Sequence, residues 1–290
     1  MSLKPSELIL NSDGSIYHLN LRPEHVANDI LFVGDQDRVD KITKHFDAIE
    51  FTTQKREFKT TTGIYNGKRI SVISTGIGND NIDIVLNELD ALVNIDFESK
   101  QVKSDITSLN IVRIGTSGSL QEDIPVNSFV LSTYGLELTG TLWAYQVDSL
   151  RNEALENAFV SHMNWLNKKS HPLFIPCSEK LFSIIDSDEL HKGITATANG
   201  FYGPQGRILR LPIQDALINE KLTDFDFRGL RISNLEMETG GIYGLSSLFG
   251  HHACSVNAII ANRASGTFSE NPGKVVEDLI LYTLEKLTSS

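Results

Sequence analysis

An α/β fold, a buried β-sheet flanked by helices, is predicted by three observations. Short apolar runs recur along the 290 residues, loops rich in Gly, Ser, Thr and Asp follow them, and several loops open segments with helical spacing. No repeat, low-complexity tract or Pro/Gly/Ser linker splits the chain. One domain is therefore expected over residues 16–290, behind an N-terminal tail of residues 1–15. With 40% hydrophobic residues, a core of that size needs no disulfide or metal staple.

The expected elements follow in order. Ile30 to Val33 is an apolar run that stops at Gly34-Asp35-Gln36-Asp37, and Arg38 to Phe46 has helical spacing. Ile70 to Ser74 ends in Thr75-Gly76-Ile77-Gly78 and leads to a helix over Asn81 to Val93. The charged Glu98 to Thr107 stretch is expected as a surface elaboration. Asn110 to Ile114 is a strand ahead of a small-residue loop, Thr116-Ser117-Gly118-Ser119, and Ser128 to Ser132 is another strand. A helix over Asn152 to Lys168 and a strand over Gly193 to Ala198 precede Gly203 to Arg228, read as a lid or a peripheral helix and loop. Strand Leu230 to Leu235, helix Gly241 to Leu248 and strand Cys254 to Ala261 come next. In the last helix, Gly273 to Leu287, the residues Val276, Leu279, Ile280, Leu284 and Leu287 form one apolar stripe with Thr283.

A formal net charge of −11 argues against a nucleic-acid partner, which needs an extended basic surface. Leu8-Ile9-Leu10 is too short for a signal-peptide apolar segment, and Ser128 to Tyr145, which holds Glu137, is too polar for a membrane span. Cys177 and Cys254 are the only cysteines, with no CxxC spacing, as expected for a reducing cytoplasmic setting.

Arg113 interrupts an apolar strand, and a buried guanidinium is costly without an anion or carboxylate to satisfy it. Two readings stay open: an internal salt bridge, or an anion site. Gly34 to Arg38 and Ser74 to Asn79 are two further loops at strand ends, where open α/β sheets bind ligands and where backbone N–H groups suit anions. Together with the two arginines they suggest a pocket of phosphate size, or ordinary turns with solvated arginines. Position 81 is Asn where GxGxxG needs its third glycine, no GxSxG elbow occurs, and His251-His252 lack metal-ligand spacing. Glu236 and Glu238, one residue apart in extended backbone, project to one side. They suit a polyol, since carboxylate oxygens accept from hydroxyls, unless both are solvated at a strand end.

At these residues the sequence resembles the nucleoside phosphorylase family of the purine and uridine phosphorylase type. The matches are Val33-Gly34-Asp35-Gln36-Asp37-Arg38, Lys55-Arg56-Glu57-Phe58, Ser74-Thr75-Gly76-Ile77-Gly78, Arg113-Ile114-Gly115-Thr116-Ser117-Gly118, Asn234-Leu235-Glu236-Met237-Glu238 and Asn262-Arg263. Phe201-Tyr202-Gly203-Pro204-Gln205-Gly206-Arg207 is similar to the pyrimidine-recognition segment of uridine phosphorylases. Asn262 stands where purine-specific hexameric relatives often have an acidic Asp, which favours a pyrimidine.

The resemblance implies a mixed, twisted sheet and phosphorolysis of uridine to uracil and α-ribose 1-phosphate, with inorganic phosphate as co-substrate and no cofactor. It assigns Gly34, Arg38, Arg56, Arg113 and Thr116 to phosphate, with Arg56 from a neighbouring subunit. Met237 and Glu238 face ribose, and the neighbour's His18 reaches the 5′-hydroxyl. Phe201, Gln205, Arg207 and Arg263 shape the base pocket, and Arg113, Gln205, Arg207 and Glu238 carry catalysis. Glu57, Ile77 and Asn81 match a monovalent-cation position of some bacterial members, with Asn81 in place of the usual Ser, and Asp80 adds a carboxylate beside the phosphate pocket. A homodimer is the minimal expected unit, a hexamer the larger one, with active sites completed between subunits. The alternatives are a nucleosidase, a purine phosphorylase and a non-catalytic nucleoside-binding protein of the same fold.

Overall fold

Strands buried on both faces read as near-continuous apolar runs, and all seven expected runs form strands in the computed structural model, which describes residues 2–289. In chain order the elements are β1 (Asp29–Val33), α1 (Gln36–Thr43), β2 (Ala48–Lys55), β3 (Phe58–Tyr65), β4 (Lys68–Ser74), α2 (Asn79–Asn94), β5 (Ile95–Asp96), β6 (Gln101–Val102), β7 (Asn110–Ser119) and β8 (Phe129–Glu137). Then come α3 (Glu153–Met163), β9 (Leu173–Pro176), α4 (Glu179–Ile185), β10 (Leu190–Thr197), α5 (Ile218–Asp224), β11 (Asp226–Phe227), β12 (Leu230–Glu236), α6 (Thr239–Phe249), β13 (His252–Asn262), β14 (Thr267–Phe268) and α7 (Pro272–Thr288).

The main sheet is mixed and runs β11-β12-β10-β8-β13-β7-β1-β4-β3-β2. Its strands form two opposed sets. β1, β4, β7 and β13 run parallel to one another, whereas β8, β10 and β12 share the reverse direction. β12 also pairs antiparallel with β7, through Asn234↔Ser119 and Leu235↔Gly118. Strands β7, β13, β8, β10 and β12 therefore close into a small barrel. The two sets end toward each other. β1 and β4 finish level with Arg113, through Phe32↔Arg113 and Val33↔Ser74, while β12 runs antiparallel along β7 and stops short of the same level.

The larger core joins Ile30, Val72, Ile111 and Val256 of the sheet to Leu86 and Leu89 of α2 and to Leu279 and Ile280 of α7. The whole apolar stripe expected for the last helix is buried, Thr283 included. A second core lies over β10 and β12, where the Phe159 ring of α3 meets Phe174 and Phe225 edge-on at 5.5 and 5.3 Å. Helix α6 enters the sheet at a point without side chains: a Cβ on Gly135 would stand 2.9 Å from Gly240 Cα, and one on Gly240 would stand 2.9 Å from Glu137 Cα. That contact seats the Glu238 turn directly on the end of β8.

Several expectations need correction. Thr116-Ser117-Gly118-Ser119 is not a loop but the continuation of β7, because its backbone pairs with β13 and β12. The helix expected to Lys168 stops at Met163, where Asn164 turns left-handed at φ 47° and its N–H caps the Val160 and Ser161 carbonyls. The hairpin β2–β3 carries no apolar run to mark it, because no residue of β2 is fully buried and its Thr, Gln and Glu residues break the alternation. The Gly203 to Arg228 region holds a short 3₁₀ turn, α5 and the edge strand β11, and the Glu98 to Thr107 region lies around the two-stranded β5–β6 ladder. In the N-terminal fifteen residues, Leu8 reaches the core.

Phe159 is fully buried among three aromatic rings. Phe159→Ala is expected to cost about 3–5 kcal/mol, because transfer and cavity costs add, and urea unfolding will read the loss. An unchanged midpoint would contradict this packing.

Candidate active site

The register that ends β1 and β4 beside Arg113 also sets what surrounds its guanidinium. The side chain is 6% exposed and folds back over Gly115, where any Cβ would overlap Arg113 Nη1. Nη1 donates to Asn257 Oδ1 at 2.7 Å, and Nη2 lies 2.5 Å from Glu238 Oε2 and 3.2 Å from Glu236 Oε2. Of the two readings left open, the internal salt bridge is present. It does not exhaust the group, because the remaining guanidinium N–H groups are free for an oxyanion.

Each carboxylate is held in turn. Glu236 Oε1 accepts from Thr197 Oγ1 at 2.6 Å, and its Oε2 accepts the N–H groups of Glu238 and Thr239, both at 2.9 Å. Glu238 Oε1 accepts from Gly78 N–H at 2.7 Å, at the start of α2, where the helix dipole favours negative charge. The pair thus does project to one side, onto Arg113. Burial pushes the Glu238 carboxyl above its ordinary range, against the pull of Arg113. Burial also opposes the charge on Arg113, but Glu236 and Glu238 outweigh it and raise the group.

Arg38 completes this cluster from the first turn of α1. Asp35 caps that helix by accepting Arg38 N–H at 2.9 Å and pairs with Arg38 Nη2 at 2.8 Å, while Nη1 donates to Ile114 O at 3.2 Å. Burial lowers its guanidinium pKa. Gly34 follows directly on β1, Met237 is half-buried beside Glu238, and Thr116 is half-buried in β7 opposite Ala258.

The residues expected around a base form a second cluster. Gln205 is buried, and its Oε1 accepts from Arg207 Nη1 and from Arg263 Nη2, both at 2.8 Å. With its oxygen so occupied, Gln205 has only its amide N–H groups left to offer, as donors. Arg207 lies 3.7 Å over the Phe201 ring, and Phe201 itself is exposed. Burial, with Arg207 beside it, pulls Arg263 down to about 10. Neither guanidinium has a carboxylate partner among the described residues. Tyr202 and Arg207 also line a cleft of about 850 Å³ that runs outward between Trp165 and Leu211.

His18 and Arg56 belong to neither cluster. His18 Nδ1 is 2.7 Å from Glu88 Oε1 and its ring sits 6.3 Å from that of Phe58, Lys55 Nζ donates to Tyr17 O at 2.5 Å, and Gln36 Nε2 in the first turn of α1 donates to Arg56 O at 2.6 Å. Arg56 is exposed at the β2–β3 turn with φ 55°. Asn81 Nδ2 donates to Ile77 O at 3.4 Å, Glu57 and Asp80 are exposed, and no group of three or more His, Cys, Asp or Glu side chains stands together among the described residues. Sequence reading missed the contribution of Asn257, whose one signal is a polar residue inside an apolar strand.

The chain matches the family described as "Phosphorylase superfamily" over residues 29–281. It is 29% identical to a uridine phosphorylase of Thermococcus kodakarensis, over 89% of this chain and 81% of that protein. It is 26% identical to a DeoD-type purine nucleoside phosphorylase of Shewanella oneidensis, over 92% and 96%. A solved nucleoside phosphorylase of Trypanosoma brucei, described as showing uridine phosphorylase activity, superposes with a TM-score of 0.87 at 27% identity, covering 98% of this chain and all of that one.

Glu137 stands behind these clusters. It is fully buried without a cationic partner, accepting from Thr139 N–H at 2.7 Å, Gly140 N–H at 3.0 Å and Asn79 Nδ2 at 3.3 Å. Burial outweighs those donors and raises its pKa. The folded chain therefore holds this proton more tightly than the unfolded chain, and the associated stability is lost as pH rises from the ordinary carboxyl range through the raised value. Urea unfolding at several pH values is expected to show that Glu137→Gln removes this part of the decline. A decline of the same size in both proteins would contradict the assignment.

Proposed function

The chain belongs to the Phosphorylase superfamily, and we propose that within it the protein is a uridine phosphorylase, which cleaves uridine with inorganic phosphate to uracil and α-ribose 1-phosphate. The observation that carries the reading is the Gln205–Arg207–Arg263 cluster, two guanidiniums on one amide oxygen with no carboxylate beside them. Such a cluster is rich in donors. It fits a base whose edge presents carbonyl oxygens and which leaves carrying negative charge.

Arg113 and Arg38, with Gly34 and Thr116, hold the phosphate, and Glu238 accepts from the ribose diol beside Met237. Phosphate oxygen attacks C1′ from the face opposite the base, the C1′–N1 bond breaks with its electron pair going to uracil, and uracil then takes up a proton. Glu238 and the phosphate balance the positive charge that develops on ribose, while Gln205 and Arg207 stabilise the departing base. Catalysis is positional and electrostatic. Phosphate is the co-substrate, and no step calls for a further cofactor.

His18 and Arg56 complete the site of a neighbouring subunit. The contact of Lys55 with Tyr17, which joins their two segments, supports this reading. A homodimer is the minimal unit, and the buried state of both free cysteines suits a cytoplasmic protein. Asn262 speaks against the purine alternative. Its Nδ2 donates to the Gln121 and Ile124 carbonyls at 2.8 and 2.9 Å, and its Oδ1 accepts from Ser265 N–H at 2.9 Å, so the side chain is committed to the backbone rather than to a base.

The deciding assay measures uracil, hypoxanthine and adenine released from uridine, inosine and adenosine, with and without phosphate. Uracil released only with phosphate is the expected result, and equal release without it would favour a nucleosidase. Arg207→Ala is expected to slow uridine turnover on the order of a hundredfold or more, the size of effect lost with one transition-state donor. Its unfolding midpoint is expected to stay near that of the unchanged protein.

A further inference from the structure

We infer that a ring of buried side-chain hydrogen bonds inside the barrel, which begins and ends on β7 and closes through that strand's backbone, sets the position of Arg113, with Asn257 as the positioning residue through which it acts. The ring can be followed strand by strand. Arg113 Nη1 on β7 donates to Asn257 Oδ1 on β13 at 2.7 Å, and Asn257 Nδ2 donates to Ser132 Oγ on β8 at 3.3 Å. Ser132 Oγ meets Thr195 Oγ1 on β10 at 2.5 Å, and Thr195 Oγ1 donates to Asn234 Oδ1 on β12 at 2.8 Å. Asn234 Nδ2 returns to β7 at Ser117 Oγ, 2.8 Å away. All six residues are buried.

The geometry gives Asn257 one orientation. Its Nδ2 serves the hydroxyls of Ser132 and Ser255, both at 3.3 Å, so its oxygen must face Arg113. Asn257 is opposite Gly115 in the β7–β13 ladder, and a Cβ on Gly115 would overlap both the guanidinium and the Asn257 oxygen. The guanidinium is therefore held on one side by the ring and on the other by Glu236 and Glu238. Remove the ring's hold and the two carboxylates draw the guanidinium toward the ribose side, away from phosphate. Networks of this kind are coupled, and only combined substitutions separate their members.

This inference rests on the assignment of Arg113 to phosphate, and the test separates the two. Asn257→Ala is expected to raise the phosphate KM about tenfold or more, the factor that a lost hydrogen bond to a charged group carries, with the uridine KM within about twofold. Ser132→Ala, which removes no contact to Arg113, is expected to raise the phosphate KM by a smaller factor. Combined with Asn257→Ala it is expected to add nothing. Calorimetry with inorganic phosphate alone is expected to show the same order of weakening, so the ring is tested even where no nucleoside is turned over; uridine left uncleaved by the unaltered protein would instead sink the proposed function. An unchanged phosphate affinity in Asn257→Ala overturns the inference, as does an equal rise in both KM values, the signature of general loosening. Should Asn257→Ala not fold, an unchanged phosphate affinity in Ser132→Ala overturns it equally.

Discussion

A guanidinium sealed into a β-strand has to be neutralised before the strand can pack, and the fold is arranged around doing so for Arg113. Two carboxylates from the end of β12 and an amide from β13 meet it. Those groups need support in their turn, from Thr197, from the Glu238 and Thr239 N–H groups and from the start of α2 at Gly78. Breaking one side of such a buried pair leaves an uncompensated charge, at a cost of several kcal/mol.

The two opposed sets of strands explain why this meeting is possible. In a sheet of one direction the ends of β4 and β12 would lie in one row beyond the sheet. Here β7 is long enough to be shared, and β12 returns along it antiparallel. The loops after β4 and β12 then face each other across Arg113. Closing the barrel also turns the polar faces of five strands inward, where small hydroxyl and amide side chains satisfy one another instead of water.

Charge is divided sharply by scale. The chain as a whole carries −11, yet two half-buried guanidiniums, Arg207 and Arg263, stand together without a carboxylate, and burial lowers the pKa of both. Net charge governs long-range attraction and solubility, whereas a desolvated pocket focuses the field of the few groups that line it. A small dianion and a departing anionic base are therefore compatible with a strongly acidic protein.

The local elements were legible because hydrophobic period and turn chemistry are properties of neighbours in sequence: the apolar runs became strands, the final stripe became a buried helix face, and Gly34, Arg38, Glu238, Gln205 and Arg207 lie in the segments their motifs marked. What lay beyond reach depends on partners far apart in sequence. Thr116 to Ser119 looks like a loop by composition and is a strand only because β12 and β13 pair with it. Glu236 looks like half of a ribose-facing pair and is in fact a partner of Arg113, and Asn257 looks like an ordinary strand residue 144 positions from the guanidinium it holds. The sequence by itself determined the family, most of the strands and the amphipathic last helix, since each is written in a short run of residues. Only the tertiary structure decided which of them touch, because strand direction, register and barrel closure are set by long-range backbone pairing.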